Sequence, residues 1–388
     1  MSTKDLSGGS GPNPDDTLGI YSSGGGAMDH LIRPWERTLF KHCRRAWDFG
    51  ARERQNYEPV KPTRVFDFDE AIHDALDVYY FPGMWDWGRA IVRPLAVEGF
   101  LKSMRRQRAA YAQHCDLSPI QEREWDEHVG LGREMLERYF LWAQEADRFA
   151  PVQVAAQFDV AIPDPRNPDD GLVTPDGRGI RYRVRIDLVV MDEHELYWLV
   201  EHRVVSSPWD DLDQLLIDEQ SLSRSWSWEL GFLAKIEGTI HNELRKDVPS
   251  GHTAPADAMN VQVLQGPSGL IKQQDNGLFR RTQIPRSEIE FEQHRVHTAL
   301  EVLDMTDPQL LIYPNPTREN CSSCLYRQPC MAMSYGSDER PILEASYQKR
   351  TSEDFELGRL GSVWGFVPPI VRVAEWNAPG GEPAPGGG

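Results

Sequence analysis

Ile180 to Val205 reads IRYRVRIDLVVMDEHELYWLVEHRVV, and the fold turns on how its two halves alternate. From Ile180 to Val190, and again from Leu196 to Val205, apolar and polar residues recur at period two, with a short acidic turn between them. That pattern predicts a β-hairpin. Alternation puts Tyr182, Val184, Ile186 and Leu188 on one face of the first strand and Arg183, Arg185 and Asp187 on the other. In the second strand Leu196, Trp198, Val200 and His202 share one face, and Glu201 and Arg203 share the opposite one. A loop of about five residues sets Asp187 nearly opposite Glu201. Two carboxylates that close repel unless a cation sits between them, which points to a divalent metal, Mg²⁺ or Mn²⁺. The plainer alternative is an exposed face on which both pair with Arg183, Arg185 and Arg203.

On either side of the hairpin the period changes. Upstream the patterns are helical: Leu39, Phe40, Cys43 and Trp47, then Ile72, Leu76, Tyr79 and Tyr80, then Trp85 to Tyr111. Another helix is expected from Ser118 to Arg148, with Ser118 as N-cap and Pro119 in the first turn. Gln153 to Ile162 reads as a strand and the PDPRNPDDG that follows as a loop. Downstream, Ile217 to Ile236 is helical, Ala258–Gln265 and Leu270–Gln274 suggest a second hairpin, and Ser287 to Met305 is a helix. Helices followed by a small mixed sheet indicate an α/β or α+β chain. Residues 1–27 read as a disordered Gly/Ser arm, 28–150 as a helical region, 151–290 as the α/β core, 291–376 as a helix with a Cys-rich segment, and 377–388 as a Pro/Gly tail.

The 388 residues are 40% hydrophobic and include 12 Trp, enough for a sizeable core. A net charge of -18 argues against a general nucleic-acid coat, whose affinity comes from cations replacing phosphate counterions. A local basic cleft remains compatible with it. No apolar run is long enough to span a membrane, and MSTKDLSGGSGPNPDD is no signal peptide, so a cytoplasmic location is expected. No Walker loop is present.

Three of the five cysteines, Cys321, Cys324 and Cys330, form CSSCLYRQPC, and Cys43 lies far upstream in FKHCRRAW. This is a metal-ligand set rather than a local finger, because a zinc finger usually draws its ligands from one short segment. Such a set would close a very long loop. Cys115 lacks a partner spacing and reads as an ordinary thiol.

Asp187 followed by Glu201-His202-Arg203 resembles the D…E-x-K signature of the PD-(D/E)XK nuclease superfamily. The closer likeness is to its RecB-like and CRISPR-associated iron–sulfur exonucleases, phage-encoded relatives included. Ala71-Ile72-His73-Asp74-Ala75-Leu76 matches the family's upstream metal-binding His, and Gln220-Ser221-Leu222-Ser223-Arg224 falls where a Q-x-x-x-Y helix is expected. Cys43 with Cys321, Cys324 and Cys330 matches the iron–sulfur variants. The resemblance implies a PD-(D/E)XK-like mixed sheet whose N- and C-terminal segments a [4Fe–4S] cluster joins. It implies metal on His73, Asp187 and Glu201, Gln220 positioning a strand, and Arg203 in the place of the signature Lys. The implied activity is a Mg²⁺- or Mn²⁺-dependent exonuclease acting on DNA ends or single strands. Arg203 for Lys, Val204 for the usual Thr and Arg224 for Tyr depart from the pattern, because an arginine fork is a poor stand-in for a Lys beside a metal. They leave open a pseudonuclease that binds DNA or protein, or an iron–sulfur assembly factor, in a recombination, CRISPR or phage complex.

Arg44, Arg45, Arg183, Arg185 and Arg224 are candidate DNA contacts. The basic run Lys102, Arg105, Arg106 and Arg108, near Phe100 and Tyr111, reads either as a nucleic-acid track or as a solvated helix face. His42, His114, His194 and His202 lack a ligand-like constellation, and Trp226 and Trp228 read as core.

Overall fold

The computed structural model describes residues 29–206, 209–246, 259–350 and 371–372; the sequence's N-terminal arm and Pro/Gly tail lie outside them. In chain order the elements are β1 (His30–Ile32), α1 (Pro34–His42), α2 (Arg44–Gly50), β2 (Tyr57–Pro59), α3 (Phe68–Tyr79), α4 (Arg89–Ala112) and α5 (Pro119–Ala146). Then come β3 (Phe149–Ala161), β4 (Pro163–Asp164), β5 (Asn167–Gly171), β6 (Ile180–Asp192), β7 (Tyr197–Val205), α6 (Leu212–Leu216), α7 (Glu219–Phe232) and β8 (Ile236–Arg245). The chain continues through β9 (Asn260–Gln265), β10 (Leu270–Asp275), β11 (Phe279–Pro285), α8 (Glu288–Thr306), α9 (Arg318–Ser322), α10 (Arg327–Ser334), α11 (Arg340–Ser346), β12 (Tyr347–Lys349) and β13 (Val371–Arg372).

Among the described residues the central sheet has nine strands in the order β13-β3-β6-β7-β8-β11-β10-β9, with β1 alongside β6. It is mixed: β7–β8, β1–β6 and β3–β13 run parallel and the remaining ladders antiparallel. The β7–β8 pair is parallel because α6 and α7 carry the chain back across one face, as a parallel connection requires. α3, α4 and α5 cover one face, packing Leu76, Phe100, Tyr139 and Phe140 on Leu188, Val200 and Leu244. α1, α7 and α8 cover the other, with Trp226, Phe291 and Val302 against Tyr182, Val184 and Leu199. This is a three-layer α/β arrangement.

The predicted helices form where their signals lie. Ser118 caps α5 with Gln121 returning the bond, and Pro119 opens the helix. Asp67 caps α3 and Asp218 caps α7 by accepting the third backbone N–H. Three expectations needed correction. PDPRNPDDG holds the short β4–β5 ladder rather than a loop. The helix expected to Ile236 ends at Phe232, where Leu233 turns left-handed (φ 53°), and Ile236 starts β8. β8 and β11, buried on both faces, were not read from sequence, because such strands show no alternation. The region 28–150 also contributes strands, since β1 pairs with β6 and β2 with β12.

The N- and C-terminal parts of the described chain meet in a small core of their own. Ala46 and Phe49 of α2 pack with Tyr326, Leu343 and Tyr347, bordered by Cys43, Cys324 and Cys330. The Tyr326 hydroxyl donates to the Tyr57 carbonyl at 2.7 Å.

Candidate active site

The hairpin forms as expected. Leu188 pairs with Val200 and Met191 with Tyr197, so Asp187 and Glu201 stand opposite each other one step past the last rung. The Asp192 carboxylate closes the turn, accepting from the backbone of His194 and Leu196 and from the Trp198 indole.

The strict alternation assigned to β6 fails at Asp187. Tyr182, Val184 and Ile186 face the α1/α7 layer, whereas Leu188 and Val190 face the α3/α5 layer. Opposite on β3, Ala156 and Val154 switch layers in the same way, and Ala155 between them holds a left-handed φ of 50°. A paired irregularity of this kind re-aims side chains where a sheet carries a site. It lets Asp187 reach both layers: His73 on one side and Arg224 on the other.

α3 brings His73 to the carboxylates. Its Nδ1 lies 3.6 Å from Asp187 Oδ1 and its Nε2 3.6 Å from Asp69 Oδ2, one turn earlier. Asp69 also accepts the Val204 backbone N–H at 3.0 Å, tying α3 to β7. Asp77, one turn after His73, pairs with Arg185 at 3.5 Å.

The cation demanded by the two carboxylates is supplied by the protein. Arg224 Nη1 lies 3.3 Å from Asp187 Oδ2 and also contacts Glu201 Oε2. With its amide oxygen turned toward α7's next turn, Gln220 accepts from Arg224 Nη2 at 2.7 Å. Burial pushes the Glu201 carboxyl up to about 8, with Arg224 opposing and Asp187 adding to the rise. Burial disfavours the Arg224 cation, but Asp187 and Glu201 outweigh it and raise its pKa. Burial thus favours the protonated form of Glu201, which eases the repulsion between the two carboxyl groups.

Arg203, in the place of the signature Lys, is turned toward α7's start: Asp218 holds it at 2.7 Å and Asp210 at 3.5 Å. Arg183 is buried and bidentate on Asp159, at 2.7 and 2.9 Å. Arg183 therefore presents no guanidinium at the surface for DNA, whereas Arg224, though engaged by the carboxylates, lines the cavity beside them. Arg44 lies over Phe40 and Tyr313, and Arg45 reaches Ser334 at 3.3 Å and Cys330 Sγ at 3.8 Å. Arg105, Arg106 and Arg108 pair with Glu98, Glu70 and Glu122 as a solvated face would. His202 is a core residue: it stacks on Tyr80 and bonds Asn242 at 2.9 Å. Trp226 and Trp228 are buried as expected.

Both ring nitrogens of His73 and Oε1 of Glu201 are buried without a hydrogen-bond partner. Buried polar atoms are rarely left so, and the donor set of imidazole and carboxylates suits a hard-to-borderline divalent ion. The four cysteines carry no disulfide. Burial raises the Cys324 thiol, and Cys43, Cys330 and Cys321 raise it further; Cys43, Cys324 and Cys330 border the same small core. As the side chains stand, no group of three or more His, Cys, Asp or Glu among the described residues is arranged to hold a metal ion.

Sequence reasoning missed Asp69, Asp77 and Asp218. The first two were visible as a four-residue repeat through His73 on one helix face. Asp218 was visible as a capping residue ahead of an apolar run.

No protein-family model matches this chain, and no curated protein does. One solved structure that matches is the crystal structure of SSO0001, at 12% identity over 57% of this chain and 91% of that one, with a TM-score of 0.25. A likeness that slight carries no argument. Among the described residues no helix is long and apolar enough to cross a membrane.

Proposed function

We propose that the chain is a divalent-metal-dependent exodeoxyribonuclease of the RecB-like iron–sulfur type, acting on DNA ends or single strands, with a resting site closed by Arg224. The observation that carries this reading is the meeting of His73, Asp187 and Glu201 at a sheet irregularity, with orphaned polar atoms on His73 and Glu201. Those three side chains would hold the ion. Bound Mg²⁺ or Mn²⁺ would supply Lewis-acid activation of water and of the scissile phosphodiester. Gln220 and Arg224, which line the cavity beside the carboxylates, would hold a strand. Cys43, Cys321, Cys324 and Cys330 would hold a [4Fe–4S] cluster that staples the terminal segments, a reading supported by cysteines free of disulfides, three of which border one small core joining those segments.

A second reading, a degenerate module that binds DNA or a protein partner without cutting, draws on two observations. Arg224 occupies the space between the carboxylates, and Arg203 is engaged elsewhere. Anaerobic purification, iron and sulfide analysis, and cleavage of end-labelled DNA with Mn²⁺ separate the readings. The enzyme reading requires cleavage that Asp187→Ala abolishes. DNA binding with no cleavage at any Mn²⁺ concentration would leave the binding module, and colourless, iron-free protein would remove the iron–sulfur part.

A further inference from the structure

Beside the carboxylate site, between α1 and α7 over β6, lies a cavity of about 510 Å³. Its size is within the roughly 300–1,000 Å³ typical of small-molecule sites. Arg37, Lys41 and Arg224 line it with Glu219, and each of these cations is held by carboxylates that a bound anion would compete with. Trp35, 37% exposed, offers an indole at the rim. Arg37 is fixed by Glu301 at 2.7 Å and by Glu219 at 3.2 Å, and its Nη1 reaches Ser223 Oγ at 3.3 Å on the cavity wall. Lys41 shares the same two carboxylates from a half-exposed position, where an ion pair is weak and exchangeable. Arg224 belongs to both places, lining the cavity while its Nη1 sits between Asp187 and Glu201.

We propose that this cavity binds a phosphate-bearing nucleotide, and that the bound phosphate draws Arg224 away from Asp187 and Glu201, so that nucleotide and divalent ion bind with positive coupling. The phosphate offers Arg224 a bidentate partner that replaces the carboxylates. Once the guanidinium leaves, the two carboxylates lose the cation they share, and a divalent ion meets less competition for the place between them. By linkage the ion must then tighten the nucleotide by the same factor. The coupling rests on the metal-site reading above; occupation of the cavity does not.

The test is equilibrium dialysis of the full chain in EDTA with a 5′-phosphorylated dinucleotide, its unphosphorylated form and a 5′-mononucleotide, followed by Mn²⁺ titration by electron paramagnetic resonance with and without the dinucleotide. Phosphorylated ligand should bind at least about tenfold tighter than the unphosphorylated form, and Lys41→Glu should weaken it by a similar factor. Thr38→Trp, at an exposed lining position, should block the cavity without disturbing the core. Preference for the dinucleotide assigns the site to a strand end; equal binding of the mononucleotide assigns it to free nucleotide, and both support the shared chemistry. Equal binding with and without phosphate, or binding indifferent to Lys41→Glu and Thr38→Trp, overturns the cavity assignment. Phosphate-selective binding with Mn²⁺ affinity unchanged overturns the coupling. Selective nucleotide binding by a protein that never takes up Mn²⁺ also overturns the coupling, and it sinks the nuclease reading while the cavity assignment stands.

Discussion

Arg224→Ala should destabilise the metal-free protein and make it respond to Mn²⁺ more strongly than the wild type. Asp187 and Glu201 are almost wholly buried, and Arg224 is the cation between them. Burial raises the Glu201 carboxyl to about 8, so it can keep its proton, but Asp187 loses the guanidinium that it shares with Glu201. Removing one partner of a buried ion pair costs about 3–5 kcal/mol, since the charge left behind is desolvated and uncompensated. The backbone N–H of His202, 3.3 Å from Asp187 Oδ2, offsets part of this, so the lower end of that range is expected. A divalent ion at 100 times its dissociation constant returns about 2.7 kcal/mol. In the wild type the same ion must first displace Arg224, so its stabilising effect is smaller. Thermal unfolding in EDTA and across a Mn²⁺ series reads both effects. If Arg224→Ala is as stable as wild type in EDTA, or if Mn²⁺ raises both melting temperatures equally, Arg224 is not the occupant of a metal site and the electrostatic argument is wrong.

Stability should fall as pH drops below 6.5. Burial lowers His241 to about 3 and His294 to about 4, so the unfolded chain takes up protons that the native state refuses. The loss runs from about pH 6.5 down to pH 4 for His294, at up to about 1.4 kcal/mol per pH unit, and His294→Asn should flatten that slope in acid unfolding curves. Gly132→Ala should cost roughly 1–3 kcal/mol by overpacking, because a Cβ there would meet Phe100 Cζ at 2.1 Å across the α4–α5 contact. Denaturant unfolding that finds Gly132→Ala neutral would show that α5 shifts freely on α4. Cys324→Ser should leave the central sheet folded but expose the α9–β12 segment, seen as faster limited proteolysis between Arg318 and Lys349 with the β3–β8 region still resistant. Uniform proteolysis of the whole chain would mean that the small core at Ala46, Phe49 and Tyr326 is not a separate unit.

Much of the site was legible because it rests on local signals. Period-two alternation placed Asp187 across from Glu201, and the Asp192 turn holds them there. The helical spacing around His73 and the capping residue Ser118 are likewise local. β8 and β11 escaped because strands covered by helices on both faces carry no alternation to read. Their polar residues, such as Glu243 with Arg280 and Asn242 with Arg281, pair across the ladder and look from sequence like surface. Arg224 read as a departure from a motif or as a DNA contact, because sequence spacing says which helix face it shares with Gln220 and nothing about what that face meets.

Residue order alone, then, specified the hairpin, the helices with their caps, the pairing of a metal-ligand-like Cys set across the chain, and the candidate carboxylates. Each follows from interactions within a few residues or from side-chain chemistry. Which cation meets those carboxylates was settled by packing. The irregularity at Ala155 and Asp187 turns one carboxylate toward both layers, and the β7–α7–β8 crossover lays Arg224 over it while Asp218 draws Arg203 away. Such choices depend on distances between elements far apart in the chain, and on desolvation that no single segment carries.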